Sequence, residues 1–163
     1  RVMPSPILVA QFDAYGANGI PIDFGELYNA LQQKVVDGQE NPITTIYSRK
    51  FYEVQKYITL SNHGFLGYIV AFSKDWMDKL PEDYQKIIMN AAKEVSPMQR
   101  AEVARLVDEQ YLPEIIAYGT NIIELSPEQR ALFEEKALPV YEVMDGLLDK
   151  DGKELLKKFL ATR

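Results

Sequence analysis

The clearest pattern of apolar and polar positions lies in the second half of the chain, where apolar residues recur at helical spacing. The recurring residues are Tyr84, Ile87, Ile88, Ala91, Ala92, Val95, Val103, Ala104, Val107 and Tyr111. Spacings of three and four residues predict a long amphipathic helix that begins near Pro81 and ends at Gly119. Pro97 interrupts the run, but the stripe resumes on a compatible face, so we expect a bend there rather than a break.

The first forty residues alternate short apolar segments with amphipathic ones. Residues 1–3, 18–22 and 35–36 are typical of short strands, and residues 6–15 and 24–33 are typical of helices. This order predicts a βαβαβ unit with a parallel sheet and right-handed crossovers. The predicted fold class is therefore α/β.

Later segments add further predicted elements. Residues 57–60, 65–72 and 121–125 are β-rich and predict strands. Ser126 and Gln129 form a capping box, which predicts the start of a helix. After residue 140 we expect a turn at residues 149–152 and a last helix at 153–160, whose inward residues are Leu155, Leu156 and Phe159.

A polar turn joins the third predicted strand to the next predicted helix. Gly38 allows backbone angles that other residues resist, Pro42 suits the first turn of a helix, and residues 39–41 between them are all polar. In an open α/β sheet, small polar ligands usually bind where the carboxyl end of a strand meets such a turn. On local chemistry alone, a solvated turn explains these residues equally well.

Length, composition and charge narrow the classes of function. The chain has 163 residues, a formal net charge of −6, no cysteine and one histidine. One domain is the default for this length, the charge argues against a nucleic-acid partner, and no apolar run approaches the roughly 20 residues of a membrane span. The chain starts at Arg1 without an initiator Met or a signal peptide, so we expect it to be part of a longer protein.

Several sequence blocks together resemble one protein family. They are residues 36–42 (Val-Asp-Gly-Gln-Glu-Asn-Pro), 50–57 (Lys-Phe-Tyr-Glu-Val-Gln-Lys-Tyr), 1–5, 24–32 and 61–63. In their order along the chain they are similar to the periplasmic solute-binding proteins of tripartite ATP-independent periplasmic (TRAP) transporters, the DctP-like family. The resemblance implies a two-lobed, type II periplasmic-binding-protein fold, of which this chain would be the C-terminal half.

The same resemblance implies a function and a location. The protein would capture a small organic acid, such as a dicarboxylate or a sugar acid, in the cleft between its lobes and deliver it to the membrane permease subunits. It would be periplasmic, with a signal peptide in the precursor, no cofactor, no metal and no direct insertion into the membrane. The implied lobes are lobe two at residues 1–66, a return to lobe one at residues 67–106, and C-terminal helices at residues 107–163 that return to lobe two.

The resemblance assigns the ligand site to Arg1, Phe24 and Asn41. A guanidinium can hold a carboxylate through two parallel hydrogen bonds, and this grip is the implied role of Arg1, which would otherwise be taken for a surface arginine. Phe24, otherwise core packing, would pack against the carbon skeleton of the ligand. Asn41, otherwise a helix cap, would bind the ligand through its amide.

Other positions are expected to support or tune this site. We expect Glu40 to accept a hydrogen bond from Arg1 or His63, so that Glu40 and His63 hold the guanidinium in place. The residues placed to tune ligand choice are Pro4, Ser5, Gly64, Phe65 and Tyr68. Some sialic-acid-binding relatives have Asn at the position of Pro4, and proline cannot replace the hydrogen bonds of that side chain, so sialic acid is not the expected ligand.

Two other functions remain open at this point. An enzyme would need a nucleophile with a base, a metal cluster or a phosphate loop, and the sequence has no cysteine, no Gly-x-Ser-x-Gly motif and one histidine. The effector-binding domain of a transcription regulator can share a two-lobed α/β fold, and would need a DNA-binding segment upstream. The Val-Asp-Gly-Gln-Glu-Asn-Pro block argues against the regulator.

Overall fold

The computed structural model describes residues 1–162, in which helices are arranged around a small parallel sheet. The α-helices are α1 (Pro6–Ala14), α2 (Leu27–Gln32), α3 (Ile43–Ser48), α4 (Lys74–Met77), α5 (Glu82–Leu106), α6 (Leu112–Tyr118), α7 (Pro127–Ala137), α8 (Val140–Leu147) and α9 (Lys150–Leu160). The strands are β1 (Tyr57–Leu60) and β2 (Asn121–Glu124). Short 3-10 turns lie at Phe24–Glu26 and Phe51–Glu53, and a π-helical turn, Val107–Tyr111, joins α5 to α6.

Parallel pairing occurs at two places in the described chain. β1 and β2 pair in parallel over their whole lengths, which confirms the strands predicted there. Val2 forms a single parallel bridge with Pro21, and the N–H of Val2 donates to the carbonyl of Ile20 at 3.0 Å. The parallel direction of the first two predicted strands is confirmed, but neither extends into a regular strand. Pro21 has no N–H to donate, so it cannot continue a ladder of hydrogen bonds.

The end of α2 explains why the third predicted strand does not form. Lys34 adopts the left-handed conformation (φ 57°), and its N–H donates to the carbonyl of Leu31 at 3.1 Å. The N–H of Val35 donates to the carbonyl of Ala30 at 2.8 Å, which completes a Schellman motif. This motif uses the N–H groups that a strand would offer to a neighbour. The strand predicted at residues 35–36 is therefore wrong, and Val35 is exposed in a bend while Val36 is buried.

Residues 61–73 contain neither helix nor strand, so the strand predicted at residues 65–72 is wrong. Their apolar side chains face outward, with Phe65 95% and Ile69 91% exposed. A strand forms where a neighbouring strand takes its backbone N–H and C=O groups, and no segment within residues 1–162 pairs with this one. High β propensity alone does not create a strand without such a neighbour.

The predicted long helix is confirmed as a continuous rod of α5, the π-helical turn and α6. α5 continues through Pro97, so the proline does not end the helix, and the bend expected there stays a prediction. The rod ends at Gly119 (φ 109°), where the N–H of Thr120 donates to the carbonyl of Ile115 at 3.3 Å. Within residues 1–162, neither this rod nor any other helix has the length and apolar character that crossing a membrane requires.

Two capped helix starts shape the C-terminal part of the chain. Ser126 and Gln129 form the predicted capping box, in which each side chain accepts the N–H of the other residue. The side chain of Asp149 accepts the N–H of Gly152 at 2.8 Å and so caps α9. The helix therefore begins within residues 149–152, and the separate turn predicted there is wrong.

Apolar side chains of the last helix are only partly covered. On α9, Leu156 is buried as predicted, but Leu155 and Phe159 are 68% and 54% exposed. α9 packs against α8, and one neighbouring helix covers a stripe of α9 rather than a broad face. The prediction that Leu155 and Phe159 face inward is therefore wrong.

The hydrophobic core lies beside the polar turn at residues 38–42. Its members are Leu27, Ala30, Leu31, Val36, Ile46, Phe51, Ile58 and Ile115. They come from α2, from the bend at Val36, from α3, from the 3-10 turn at Phe51, from β1 and from α6, so their burial holds the two flanks of the turn in fixed positions. Burial of apolar surface is the main stabilising term available to a domain of this kind.

We expect Leu27→Ala in the intact protein to lower the free energy of unfolding by roughly 2–5 kcal/mol, because it removes a fully buried side chain and leaves a cavity. Leu132→Ala is the matched control, since Leu132 is 59% exposed, and its expected change is below about 0.5 kcal/mol. Urea denaturation followed by circular dichroism measures both. Equal losses in the two variants would contradict this assignment of the core.

Candidate functional site

Arg1 is held in place by backbone groups from two other segments. Its backbone nitrogen donates to the carbonyl of Gly38 at 2.7 Å, and its side-chain Nε donates to the carbonyl of Ile22 at 2.8 Å. The residue is 7% exposed. The bridge between Val2 and Pro21 directly beside it aligns the same segments. These contacts fix the plane of the guanidinium before any ligand arrives.

The guanidinium of Arg1 keeps part of its hydrogen-bonding capacity unused. Its Nη1 is buried and has no hydrogen-bond partner in the described chain. Burial lowers the pKa of the guanidinium from its ordinary value, while the charges of Glu40 and Asp23 raise it. An unpaired buried donor is costly, and for a charged group the cost is higher. The described residues therefore supply no acceptor for this nitrogen.

Phe24 lies near the guanidinium of Arg1, a contact that the sequence did not predict. The Cζ atom of Arg1 is 6.0 Å from the centroid of the ring, and the Cζ atom of Arg49 is 5.0 Å from it. The ring of Phe51 meets Phe24 edge-on at a centroid distance of 6.1 Å. Phe24 is 39% exposed, so part of the ring remains available to an apolar surface from outside.

The polar turn places Glu40 and Asn41 next to one another, both half-buried. The Nδ2 of Asn41 donates to Oε1 of Gln39, and no side chain caps α3. Burial raises the pKa of the Glu40 carboxyl, although the Arg1 charge and the backbone N–H of Met3 act to lower it. Within residues 1–162, no ion pair shorter than 4.0 Å joins Glu40 to Arg1. Glu40 therefore acts on Arg1 through its field, and not through the hydrogen bond that the sequence led us to expect.

His63 has partners other than Glu40. Its Nδ1 shares a hydrogen bond with Oγ of Ser61 at 2.7 Å, and its ring meets Phe12 edge-on at 5.3 Å. Its backbone carbonyl accepts Nε2 of Gln11 at 2.8 Å. Burial lowers the pKa of the imidazole. In the part of the chain that the structure describes, no group of three or more His, Cys, Asp or Glu residues could hold a metal ion.

An open groove of about 840 Å³ collects most of the predicted site residues. Those that line it are Ser5, Glu40, Asn41, His63, Gly64 and Phe65. Arg1 and Phe24 do not line the groove, but each contacts a residue that does: Arg1 donates to the carbonyl of Gly38, and Phe24 meets the ring of Phe51. Pro4 is exposed and Tyr68 is 84% exposed, and neither lines the groove. The proposed tuning roles of Pro4 and Tyr68 therefore have no contact to support them in this structure.

A second cavity, of about 390 Å³, lies on the other side of the polar turn. It is lined by Leu31, Gln32, Lys34, Val36, Asp37, Val54 and Gln55, and Gln55 also lines the groove. None of the residues predicted to bind a ligand lies in it. The candidate site is therefore the groove together with Arg1 and Phe24, which contact its lining residues.

Sequence reasoning missed three residues of this site. Arg49 contacts the ring of Phe24, Gln39 is the partner of Asn41, and Ser61 is the partner of His63. Gln39 and Ser61 lie inside the sequence blocks of the resemblance, so the signal for them was present. Arg49 directly precedes the block at residues 50–57, and only the contact of its side chain with the ring of Phe24 reveals it.

Comparison with known proteins places the chain in a family. Residues 1–146 match DctP, described as "Bacterial extracellular solute-binding protein, family 7". The chain is 40% identical over 162 residues to the C4-dicarboxylate-binding periplasmic protein DctP of Vibrio cholerae, covering 99% of this chain and 47% of that protein. The chain thus spans about half the length of the curated relatives it matches.

Solved structures agree with this match. A TRAP periplasmic solute-binding protein from Desulfovibrio salexigens with bound orotic acid superimposes with a TM-score of 0.90 at 41% identity, over 99% of this chain and 52% of that one. A TRAP periplasmic solute-binding protein from Shewanella oneidensis with bound succinate gives a TM-score of 0.85 at 36% identity, over 96% of this chain and 51% of that one.

These comparisons decide between the alternatives that the sequence left open. The predicted fold class is confirmed, since the chain is α/β and matches about half of a two-lobed binding protein. The transcription-regulator alternative is wrong, because the matched family consists of solute-binding proteins. The same family is one of transport proteins rather than enzymes. The chain belongs to the bacterial extracellular solute-binding proteins of family 7, the DctP family of periplasmic TRAP-transporter subunits.

Proposed function

We propose that the intact protein is the periplasmic solute-binding subunit of a TRAP transporter, which captures a small organic acid between two lobes and delivers it to membrane permease subunits. The observation that carries this proposal is the buried guanidinium of Arg1, whose Nη1 has no partner in the described chain. A carboxylate supplies the missing acceptor and the missing negative charge in one group.

The contacts of Arg1 define how the carboxylate binds. Nε already donates to the carbonyl of Ile22, which leaves the two terminal nitrogens, Nη1 and Nη2, for the two carboxylate oxygens. Nη1 is buried from solvent, so a carboxylate reaches it only after the groups around it move.

Neighbouring residues then complete the recognition of the acid. The exposed part of the Phe24 ring covers the carbon skeleton, and the amide of Asn41 offers both a donor and an acceptor. Ser5, Gly64 and Phe65 shape the groove around the rest of the ligand. Dicarboxylates and sugar acids are the ligand classes that fit a cationic edge next to a groove of mixed polarity. The names of matched relatives, which include a C4-dicarboxylate-binding protein, support this class.

The division into lobes follows the same proposal. Residues 1–66 and 107–163 belong to lobe two, and residues 67–106 cross to lobe one. The exposed apolar side chains of residues 65–72 support this division, because a second lobe would cover them. The protein binds and releases its ligand unchanged, with no catalytic residue, no cofactor and no metal.

We expect Arg1→Ala in the intact protein to weaken acid binding by roughly 3 kcal/mol or more, on the scale of truncating one partner of a buried charge pair. Arg1→Lys should lose more than about 1.4 kcal/mol, a tenfold change, because an ammonium cannot reproduce the two coplanar donors. Titration calorimetry, with the best-binding acid from a panel of dicarboxylates and sugar acids, measures both.

The neutral amide of the same acid is the control for the Arg1 variants. It should bind poorly to the wild type and lose little more in Arg1→Ala, so the four combinations of protein and ligand give the coupling between guanidinium and carboxylate. The carboxylate grip is wrong if Arg1→Ala binds the acid as tightly as the wild type does.

Glu40 leads to a prediction about pH. Its raised pKa means that the folded state holds this proton more tightly than the unfolded state does, so ionising Glu40 costs folding free energy as the pH rises through the folded pKa. Without ligand, we expect Glu40→Gln to have a higher free energy of unfolding than the wild type at neutral pH. This difference should shrink at pH values below the range in which carboxyl groups usually titrate. Acid binding should weaken less than in Arg1→Ala, because Glu40 acts on Arg1 through its field.

Urea denaturation of the intact protein across this pH range measures the Glu40 effect. Glu134→Gln, on the exposed surface of α7, is the control for the loss of one negative charge. If the wild type has the higher free energy of unfolding, and its difference from Glu40→Gln grows with pH, then ionised Glu40 stabilises the fold, contrary to this account.

A further inference from the structure

Two guanidinium groups share one aromatic ring at the candidate site. The Cζ atom of Arg49 lies 5.0 Å from the centroid of the Phe24 ring, nearer than that of Arg1 at 6.0 Å. Arg1 is buried, whereas Arg49 is exposed. The ring of Phe24, which we assign to the carbon skeleton of the ligand, therefore lies next to a buried cation, Arg1, and an exposed cation, Arg49.

α3 positions the exposed cation, Arg49. The helix begins just after the polar turn that carries Asn41, and the N–H of Arg49 closes its last turn on the carbonyl of Thr45 at 3.0 Å. A positive side chain at the C-terminal end of a helix is favoured by the helix dipole. α3 therefore lies between Asn41, which lines the groove, and Arg49, which contacts the ring of Phe24.

The charge of Arg49 is not neutralised by a carboxylate of the described chain. Among residues 1–162, no ion pair shorter than 4.0 Å includes Arg49, whereas its neighbour Lys50 pairs with Glu53 at 3.6 Å. A guanidinium resting on an aromatic ring keeps its N–H groups at the edge of its plane for an acceptor. Arg49 can therefore serve an anionic group that comes from outside.

We propose that Arg49 is a specificity-determining residue that reads the charge at the free end of an acid whose first carboxylate is held by Arg1. The inference rests on the proposed function, because it requires an acid at Arg1. A second cation near the site attracts a second anionic group and repels a cationic one, and both effects grow when closure excludes water. The protein then selects dianionic acids over monoanionic acids, and rejects zwitterions whose free end is an ammonium.

The test uses three four-carbon acids that differ in the charge of the free end: succinate is negative, butyrate is neutral and 4-aminobutyrate is positive. Titration calorimetry on the intact protein at neutral pH gives a Kd for each. We expect the wild type to bind succinate most tightly and 4-aminobutyrate most weakly. Arg49→Gln should weaken succinate binding about fivefold, leave butyrate within about twofold and tighten 4-aminobutyrate binding.

Two further variants separate charge reading from other effects. Lys50→Gln removes the same charge one residue away, from a side chain that pairs with Glu53, and should leave the ratio of the three affinities unchanged. Arg49→Lys keeps the charge and should retain most of the preference for succinate. The unliganded melting temperature of each variant reports whether it is folded.

The outcomes distinguish this inference from the proposed function. A change of all three affinities by the same factor in Arg49→Gln, or an equal effect of Lys50→Gln, would overturn the role of Arg49. If butyrate still binds the wild type and is lost in Arg1→Ala, the proposed function survives that failure. If the wild type binds none of the three acids, the role of Arg49 is overturned, whereas the proposed function fails only if the panel of dicarboxylates and sugar acids also shows no binding.

Discussion

The rest of this site depends on Arg1, a cation that is buried without an ion pair to any of residues 1–162. Arg1 is held by the carbonyls of Gly38 and Ile22, so backbone groups orient it, while no side-chain carboxylate of residues 1–162 forms an ion pair with it. Glu40 and Asp23 act on it only through their fields. A guanidinium arranged in this way keeps both its charge and its two terminal nitrogens for a partner. The proposed binding of an organic acid follows from this arrangement.

The fold around Arg1 is organised so that the polar turn cannot move independently of it. The Schellman motif at Lys34 ends α2 and redirects the chain, and the burial of Val36 anchors the segment that leads to Gly38. Phe51, also buried, packs beneath Phe24 and lines the groove. The same hydrophobic core therefore positions the carbonyl that holds Arg1, the ring next to its guanidinium and the groove beside it.

Sequence reasoning was most successful where a local signal decides the structure. Gly119 ends the long rod, and Ser126 with Gln129 starts α7, because caps depend on a few neighbouring residues. It failed where the outcome depends on a partner. Residues 65–72 have the composition of a strand, but no described segment pairs with them. Val35 is a residue type typical of strands, yet its N–H donates to the last turn of α2. This happens because Lys34 adopts a left-handed conformation that glycine usually occupies.

The site residues were accessible from sequence only through the order of motif blocks, and Arg49 lay just outside them. The most direct test of the central claim is a crystal structure of the intact protein with a bound organic acid. This account predicts one carboxylate oxygen within hydrogen-bond distance of each terminal nitrogen of Arg1, with Nε still donating to the carbonyl of Ile22. An acid bound elsewhere, with Nη1 of Arg1 still unpaired, would contradict it.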